Sequence, residues 1–128
     1  MQCPCNPSKK YSACCQKAHQ NIETVLTAEQ LMRSRYSAFV LANITYLHES
    51  HHSTTRPTQK ENKEILSWTK SVEWVKLEVT NTTKGTFTDI TGTVEFKAYF
   101  IENGAIDVIH ENSSFCKENK HWVYFKAD

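Results

Sequence analysis

Glycine and proline are both scarce in this sequence, with three of each among 128 residues. No segment has low complexity, and no stretch of the chain is repeated. Hydrophobic residues make up 39% of the chain and charged residues 23%, a balance that is typical of a globular protein and argues against a disordered one. A chain of this length can bury a core of its own, so we expect one domain with a small appendage.

The sequence also lacks a long apolar run and a secretion signal. No window approaches the roughly 18 apolar residues that a membrane-spanning helix needs. The first residues, Met1 to Cys5, provide neither the basic segment nor the apolar segment of a signal peptide. We therefore predict a cytoplasmic protein with no membrane partner. In that compartment thiols are kept reduced, which disfavours disulfides.

Charge of one sign is not in large excess, because 15 basic and 14 acidic residues leave a formal net charge of +1. Binding of one Zn²⁺ by four thiolates would shift this charge to about −1. Either value argues against a protein whose main task is to coat duplex DNA. The start of the chain is more basic than the rest, with Lys9, Lys10, Lys17 and His19 close together.

What the sequence does have is a cluster of cysteines at its start. Four of the five cysteines are Cys3, Cys5, Cys14 and Cys15. Adjacent or nearly adjacent cysteines pair poorly with each other, because disulfide geometry is narrow. Two such pairs can instead converge on one tetrahedral Zn²⁺, at about 2.3 Å from each sulfur. We therefore predict a zinc site with these four ligands. It leaves no open coordination position, so its role would be structural.

Two alternatives to this zinc site remain open. Iron can occupy thiolate sites, since affinity alone does not select the metal. His19 could also replace Cys15 as the fourth ligand. The remaining cysteine, Cys116, alternates with Phe115 in a predicted strand and is better explained as a small core residue than as a nucleophile.

Residues 1–19 are predicted to form a small knuckle built around the metal. Residues 12–19 could form a short helix that carries the second cysteine pair. Tyr11 is the one large apolar side chain of this segment, so we expect the knuckle to be disordered without metal. Residues 20–26 follow as a connector, which we expect to pack through Ile22, Val25 and Leu26.

Two helices are predicted in the next part of the chain. The pattern of Thr27–Gln30 is that of a capping box. Apolar residues then recur at spacings of three and four, which predicts one long helix over 28–48. Its apolar face would consist of Ala28, Met32, Tyr36, Phe39, Val40 and Leu47. After a polar loop, a second capping box at Thr58–Glu61 opens a shorter helix over about 59–70.

From residue 73 onwards the hydrophobic period changes to the period of two that is typical of strands. Alternating runs predict four strands, separated by turns at Lys84-Gly85, Glu102–Gly104 and Glu118–Lys120. In the first strand the apolar Val75, Leu77 and Val79 alternate with Trp74, Lys76 and Glu78. Helices followed by four sequential strands indicate an α+β domain with an antiparallel sheet. We expect the helices to cover one face of the sheet and to bury aromatic side chains there. This body is predicted to span residues 27–128.

The cysteine segment resembles the SEC-C motif, the zinc-binding tail of the SecA translocase. That motif has a Cys-x-Cys pair, a turn of small residues, a basic pair, an aromatic residue, and a Cys-Cys or Cys-His pair. Its ligand positions fall here on Cys3, Cys5, Cys14 and Cys15, and its basic and aromatic step falls on Lys9, Lys10 and Tyr11. The turn 6–8 reads Asn-Pro-Ser instead of the usual Gly-Ser-Gly, but Asn tolerates a positive φ.

The body of the chain resembles the bacterial YchJ-like family. The matching stretches are 31–39, Tyr46-Leu47 followed by His52, 93–96, 110–115 and 122–124. The resemblance covers nearly the whole chain. It implies the nuclear-transport-factor-2-like (NTF2-like) fold, in which helices wrap a curved antiparallel sheet into a cone. Domains of this shape often dimerise through the open face of the sheet, so a homodimer is one alternative.

A cone of this kind would enclose a cavity. The side chains that we expect to line it are Arg35, His52, Glu111, Ser113, Trp122 and Tyr124. Such a mixture of aromatic and polar groups suits a small-molecule site. The alternatives are an ordinary aromatic core with a buried Arg–Glu pair, and an arginine that extends to solvent.

Two functions are consistent with these features. The first is an adaptor, whose zinc knuckle docks a protein or ribonucleoprotein partner through Lys9, Lys10 and Tyr11. By resemblance to the SecA tail, that partner would be a chaperone or a ribosome. The second is a small-molecule-binding protein or enzyme that uses the cavity. Related cone-shaped enzymes use Asp, His or Tyr groups there, and we find no matching set. We therefore favour the adaptor, and a protein that is not an enzyme.

Overall fold

The computed structural model describes all residues from Met1 to Asp128. A two-stranded hairpin, β1 (Gln2–Cys3) and β2 (Asn6–Lys10), leads through a 3₁₀ turn into the short helix α1 (Cys15–Gln20). Three helices follow, namely α2 (Ala28–Val40), α3 (Ile44–Glu49) and α4 (Gln59–Ser71). The remaining strands are β3 (Glu73–Lys84), β4 (Thr91–Glu102), β5 (Ala105–Glu118) and β6 (His121–Ala127).

The four long strands form one antiparallel sheet in the order β3-β4-β5-β6. Two tight turns explain this order. Asn103 and Gly104, with φ of 53° and 79°, turn the chain from β4 into β5, and Asn119 and Lys120 have the same left-handed backbone between β5 and β6. The helices pack with the inner face of the sheet into one buried core. The predicted α+β fold, with an antiparallel sheet and helices that precede it in the chain, is confirmed.

Helix α2 begins with a variant of the predicted capping box. Thr27 Oγ1 accepts a hydrogen bond from the Gln30 N–H at 3.1 Å, as the pattern predicts. The Gln30 side chain reaches one residue further back than expected, because its Oε1 accepts from the Leu26 N–H at 2.8 Å. The second predicted capping box, at Thr58 and Glu61, is confirmed in full at the start of α4. No helix is both long enough and apolar enough to cross a membrane.

The single helix predicted over 28–48 is wrong, because the structure divides this stretch into α2 and α3. Ala42 has a φ of 56°, and the Asn43 N–H donates to the Ala38 carbonyl at 2.8 Å, which is the pattern of a Schellman motif that ends α2. Asn43 Oδ1 then accepts from the Tyr46 N–H at 3.1 Å and caps α3. The apolar period continues to Leu47 across the break, so periodicity alone does not locate it.

Two expectations about apolar side chains are also wrong. Leu26 is 56% exposed, although its connector neighbours Ile22 and Val25 are buried as expected. Val75 is 47% exposed, because a bulge at this point of β3 shifts the alternation of the strand. Trp74 consequently packs against the core where the pattern placed Val75.

The knuckle and the body share one buried core. Cys3, Cys5 and Cys15 belong to the same cluster of buried side chains as Leu31 and Trp122. The hairpin and α1 therefore lie against α2 and do not extend as a free tail. The division of the chain into units 1–19 and 27–128 stays a prediction.

Two glycines determine how closely the start of α2 approaches the sheet. Gly85 has a φ of 75°, and its carbonyl accepts from the Ala28 N–H at 2.9 Å. A Cβ at Gly85 would lie 2.7 Å from the Ala28 Cβ. A Cβ at Gly92 would lie 2.5 Å from the Gly85 Cα, so no side chain fits between these two backbones.

We expect Gly92→Ala to destabilise the protein by about 3 kcal/mol, because the backbone of one strand must move. Gly104→Ala is the control, since no atom lies within 4 Å of a Cβ there. Only the cost of its positive φ remains, about 1 kcal/mol. Urea unfolding followed by tryptophan fluorescence measures both changes. Equal losses of stability would contradict the account of the close glycine contact.

Candidate metal centre and cavity

The hairpin and α1 bring the two cysteine pairs to one point. Cys3 ends β1, and Cys5 lies in the turn before β2. The Tyr11 N–H donates to the carbonyl of the first residue at 2.9 Å, which closes the hairpin. A 3₁₀ turn then reverses the chain, so that Cys14 caps α1 and Cys15 is its first residue.

The sulfur atoms of the four cysteines form a compact cluster. The Sγ atoms of Cys3 and Cys5 are 3.7 Å apart, and those of Cys5 and Cys14 are 3.6 Å apart. All four lie within 4.8 Å of one another. Four sulfurs at about 2.3 Å from a central Zn²⁺ would be separated by about 3.8 Å. The cysteines are free thiols, so this cluster could hold a metal ion.

Without a cation, the four thiols do not all ionise. A hydrogen bond from Cys15 is the main cause that lowers the pKa of Cys5 to about 5, against the opposing effect of burial. Burial and the neighbouring sulfurs raise the pKa of Cys14 to about 11. The hydrogen bond with Cys5, followed by burial, raises the pKa of Cys15 as well. One thiolate is therefore stable in the cluster, whereas four thiolates would require a bound cation.

Helix α2 forms the wall on which the cluster rests. The Cys3 Sγ lies 3.7 Å from the Ser37 Oγ. Arg33 Nη1 donates to the Cys5 carbonyl at 3.3 Å, while its Nε pairs with Glu29 at 2.9 Å. The positive charge of Arg33 also contributes to the lowered pKa of Cys5. The contacts of Arg33 and Ser37 with the cysteines were not predicted from the sequence, although the matching stretch 31–39 contains both residues.

His19 does not belong to the cluster. Its Nε2 lies 2.8 Å from the Ser34 carbonyl and must donate to it, since a carbonyl can only accept. In the neutral ring Nδ1 then accepts from the Tyr11 hydroxyl at 2.6 Å. Burial lowers the pKa of His19, which favours this neutral form. Both ring nitrogens are thus engaged, and the structure gives no support to His19 as a replacement for Cys15.

The three residues predicted to bind a partner differ in exposure. Lys9 and Lys10 are exposed on β2. Tyr11 is half-buried, and its ring packs against the core while its hydroxyl bonds to His19. The arrangement leaves the two lysines accessible and gives Tyr11 a structural contact. The predicted partner-binding role of Lys9, Lys10 and Tyr11 stays a prediction.

The cone encloses a cavity of about 280 Å³. Of the six side chains expected to line it, four do so, namely Arg35, Glu111, Ser113 and Tyr124. The rest of the lining is mostly apolar and aromatic, with Trp68 and Trp74 from α4 and β3 and Phe96 from β4. The cavity thus has a small polar group of residues on an apolar wall, which is a common composition of ligand sites.

The other two expected lining residues lie elsewhere. His52 faces outward, where its Nε2 is 3.4 Å from Glu118 Oε2. The neighbouring His51 lines the cavity instead, because its backbone pairs with Tyr124 in extended form and turns adjacent side chains to opposite sides. Trp122 is fully buried under the start of α2, where its Nε1 donates to the Leu26 carbonyl at 3.1 Å.

Burial shapes the charges inside the cavity. It lowers the pKa of Arg35 to about 10, so that the guanidinium stays charged at neutral pH. Burial and the charge of Arg35 together lower the pKa of His51 to about 4, which keeps that ring neutral. The cavity therefore contains one buried cation and, at Glu111, one carboxylate.

Cys116 lies on β5, apart from the cysteine cluster. It is half-buried, and burial raises the pKa of its thiol, with a smaller contribution from Glu118. A raised pKa disfavours the thiolate, so the thiol is a poor nucleophile. This environment agrees with the interpretation of Cys116 as a small packing residue.

Comparison with known proteins shows which family this chain resembles. A family model described as the YchJ middle NTF2-like domain matches residues 27–127. A UPF0225 protein of Vibrio parahaemolyticus is 41% identical over 122 residues, which cover 95% of this chain and 71% of that protein. A UPF0225 protein of a Shewanella species is 39% identical over 131 residues, covering 98% of this chain and 79% of that protein.

Two solved structures of SEC-C motif-containing proteins have the same fold. The solution structure of the protein from Rhodopseudomonas palustris superimposes with a TM-score of 0.80 at 27% identity, covering all of this chain and 98% of that one. The crystal structure of the protein from Psychrobacter arcticus gives a TM-score of 0.76 at 32% identity, covering all of this chain and 81% of that one. This chain therefore belongs to the YchJ-like UPF0225 family, with an N-terminal SEC-C motif and an NTF2-like domain.

Proposed function

We propose that this protein is a zinc-binding adaptor, whose knuckle docks a protein or ribonucleoprotein partner. The observation that carries this proposal is the closed cysteine cluster beside an accessible basic strand. Four sulfurs lie within 4.8 Å of one another, with Lys9 and Lys10 exposed on the neighbouring β2. A metal with four protein ligands has no open coordination position for a substrate, so its role is to stabilise the fold of the knuckle.

The basic surface around the cluster favours the binding of an acidic partner. A groove of about 290 Å³ lies between the knuckle and α2. Three basic side chains, Lys9, Lys17 and Arg33, line it. Positive charge concentrated at one end of a nearly neutral chain would attract acidic peptide or RNA phosphate there. Lys9 belongs both to this groove and to the exposed strand, which makes it the central residue of the proposed docking surface.

The metal itself is tested by its content in the purified protein. We expect one Zn²⁺ per chain by inductively coupled plasma mass spectrometry, because the sulfur separations suit that ion. The double variant Cys3→Ser/Cys15→Ser should lose most of it. Cys116→Ser is the matched control and should keep it, since its thiol lies outside the cluster. Iron in place of zinc, or full zinc in the double variant, would contradict the proposed site.

The partner is tested by capture on immobilised protein. Reversal of charge in Lys9→Glu/Lys10→Glu should reduce recovery of ribosomes or of an acidic chaperone about tenfold, with zinc content unchanged. Lys60→Glu/Lys63→Glu is the control, because it makes the same charge change on exposed positions of α4. Equal recovery by both double variants would exclude docking through the knuckle.

A second candidate function is the binding of a small molecule in the cone. The observation that favours it is the open cavity of about 280 Å³ with Arg35, Glu111 and Tyr124 in its wall. A filled core would have argued against this function. The cavity and the cysteine cluster lie on different sides of α2, so the two functions do not exclude each other.

A further inference from the structure

Arg35 is the least expected residue in the cavity wall. It stands in the middle of α2 and is 9% exposed. Its Nη1 donates to the Leu47 carbonyl at 2.9 Å and to the Ser50 Oγ at 2.7 Å. The guanidinium carbon lies 4.9 Å from the centre of the Tyr124 ring. These contacts fix the plane of the guanidinium and hold it at the cavity wall.

Most of the donors of Arg35 have no protein partner. A guanidinium has five N–H groups, and the two hydrogen bonds to the protein both come from Nη1. Nε and Nη2 donate to no protein group. Every side-chain nitrogen that is fully buried has a hydrogen-bond partner, so these two atoms must each have some access to open space. Because Arg35 lines the cavity, that space is the cavity itself.

The charge of Arg35 is likewise unpaired. No carboxylate lies within ion-pair distance of it. Glu111 lines the same cavity, but its Oε2 accepts from the Ser113 Oγ at 3.4 Å and forms no ion pair with Arg35. A buried cation without a paired anion is costly. Anchoring of α2 to α3 accounts for Nη1. The Tyr124 ring and the charge of Glu111 offset part of the cost of burial, but neither accepts a hydrogen bond from Nε or Nη2.

The rest of the cavity wall favours a ligand whose main part is apolar. Trp68 packs edge-to-face against Trp74 and Phe100, with ring centres 5.6 and 5.4 Å apart, and the Trp74 and Phe100 rings are tilted with centres 5.8 Å apart. Trp68 and Trp74 line the cavity together with Phe96 and Phe115. A volume of about 280 Å³ accommodates a molecule of about a dozen heavy atoms.

We infer that the cavity binds a small apolar monocarboxylic acid, whose carboxylate accepts hydrogen bonds from Nε and Nη2 of Arg35. This inference rests on the second proposed function and names its ligand class. The fork of Nε and Nη2 matches the two oxygens of a carboxylate. The aromatic wall contacts the apolar part of the ligand. The negative charge of Glu111 would repel a second carboxylate, which limits the ligand to one.

The test uses a matched series of probes on the full protein. These are 3-phenylpropionate, its neutral analogue 3-phenyl-1-propanol, and phenylsuccinate, which adds a second carboxylate. The readout is the indole N–H signal of each tryptophan in ¹⁵N-labelled protein. Trp68 and Trp74 line the cavity and should shift, whereas Trp122 lies outside it and is the internal reference. We expect 3-phenylpropionate to bind about tenfold more tightly than either other probe.

Variants of the two charged residues should act in opposite directions. Arg35→Gln should weaken binding of 3-phenylpropionate about tenfold and change binding of the alcohol little. Glu111→Gln should strengthen binding of the acid about threefold, because it removes a repulsive charge. Arg56→Gln is the control, since Arg56 bonds to the His51 carbonyl but does not line the cavity. An unchanged Trp122 signal verifies that each variant is folded.

The outcomes separate this inference from the function on which it rests. Equal binding of the acid and the alcohol to the wild type would overturn carboxylate recognition and leave a cavity that binds small molecules. Equal affinity of the wild type and a folded Glu111→Gln or Arg35→Gln variant for the acid would also overturn it. If none of the probes shifts Trp68 or Trp74, both the inference and the second proposed function are wrong.

Discussion

The burial of α2 on two opposite sides is the constraint on which the rest of the structure depends. Toward the knuckle, α2 presents Arg33, Ser34 and Ser37, which contact Cys5, His19 and Cys3. Toward the cone it presents Met32, Arg35, Tyr36 and Phe39. These two sets alternate with the period of a helix, so a single helix of 13 residues is the common wall of the cysteine cluster and the cavity. Ser34, Ser37 and Ala38 are almost fully buried, and their small side chains let neighbouring elements approach closely.

Because α2 is shared, the cysteine segment is held by contacts with the body as well as by any metal that it binds. A SEC-C motif in isolation has few apolar residues and would owe its structure to the metal alone. Here three of the four cysteines are buried in the core of the body, and the His19 ring bridges Tyr11 to the backbone of α2. Metal binding would therefore contribute to the position of α2 as well as to the knuckle.

Local patterns predicted the elements that local chemistry specifies. The capping box at Thr58, the left-handed turn at Asn103-Gly104 and the spacing of the four cysteines each depend on a few neighbouring residues, and the structure has all three features. The break of the long helix was missed, because Ala42 occupies the left-handed position of the Schellman motif, where glycine is the usual signal. The exposure of Val75 depends on a bulge that is set by pairing with β4.

In the candidate sites as well, contacts that depend on tertiary packing could not be predicted from the sequence. Arg35, Glu111, Ser113 and Tyr124 were assigned to the cavity by the fold that the resemblance implies, and they do line it. His51 lines the cavity in place of the predicted His52 because of a single backbone bridge to Tyr124, which a sequence pattern does not reveal. Trp122 does not line the cavity, and its buried indole donates to the Leu26 carbonyl in the segment that precedes α2. The contacts of Arg33 and Ser37 with the cysteines join residues about 30 positions apart and follow only from packing.

The central claim is that a metal in the cysteine cluster holds the knuckle against α2. Amide hydrogen exchange, measured by mass spectrometry on protein with and without a zinc chelator, tests it most directly. We expect metal removal to abolish protection in residues 2–20 and to weaken it in α2, while β4 and β5 at the centre of the sheet stay protected. Unchanged protection of residues 2–20 in metal-free protein would contradict the account.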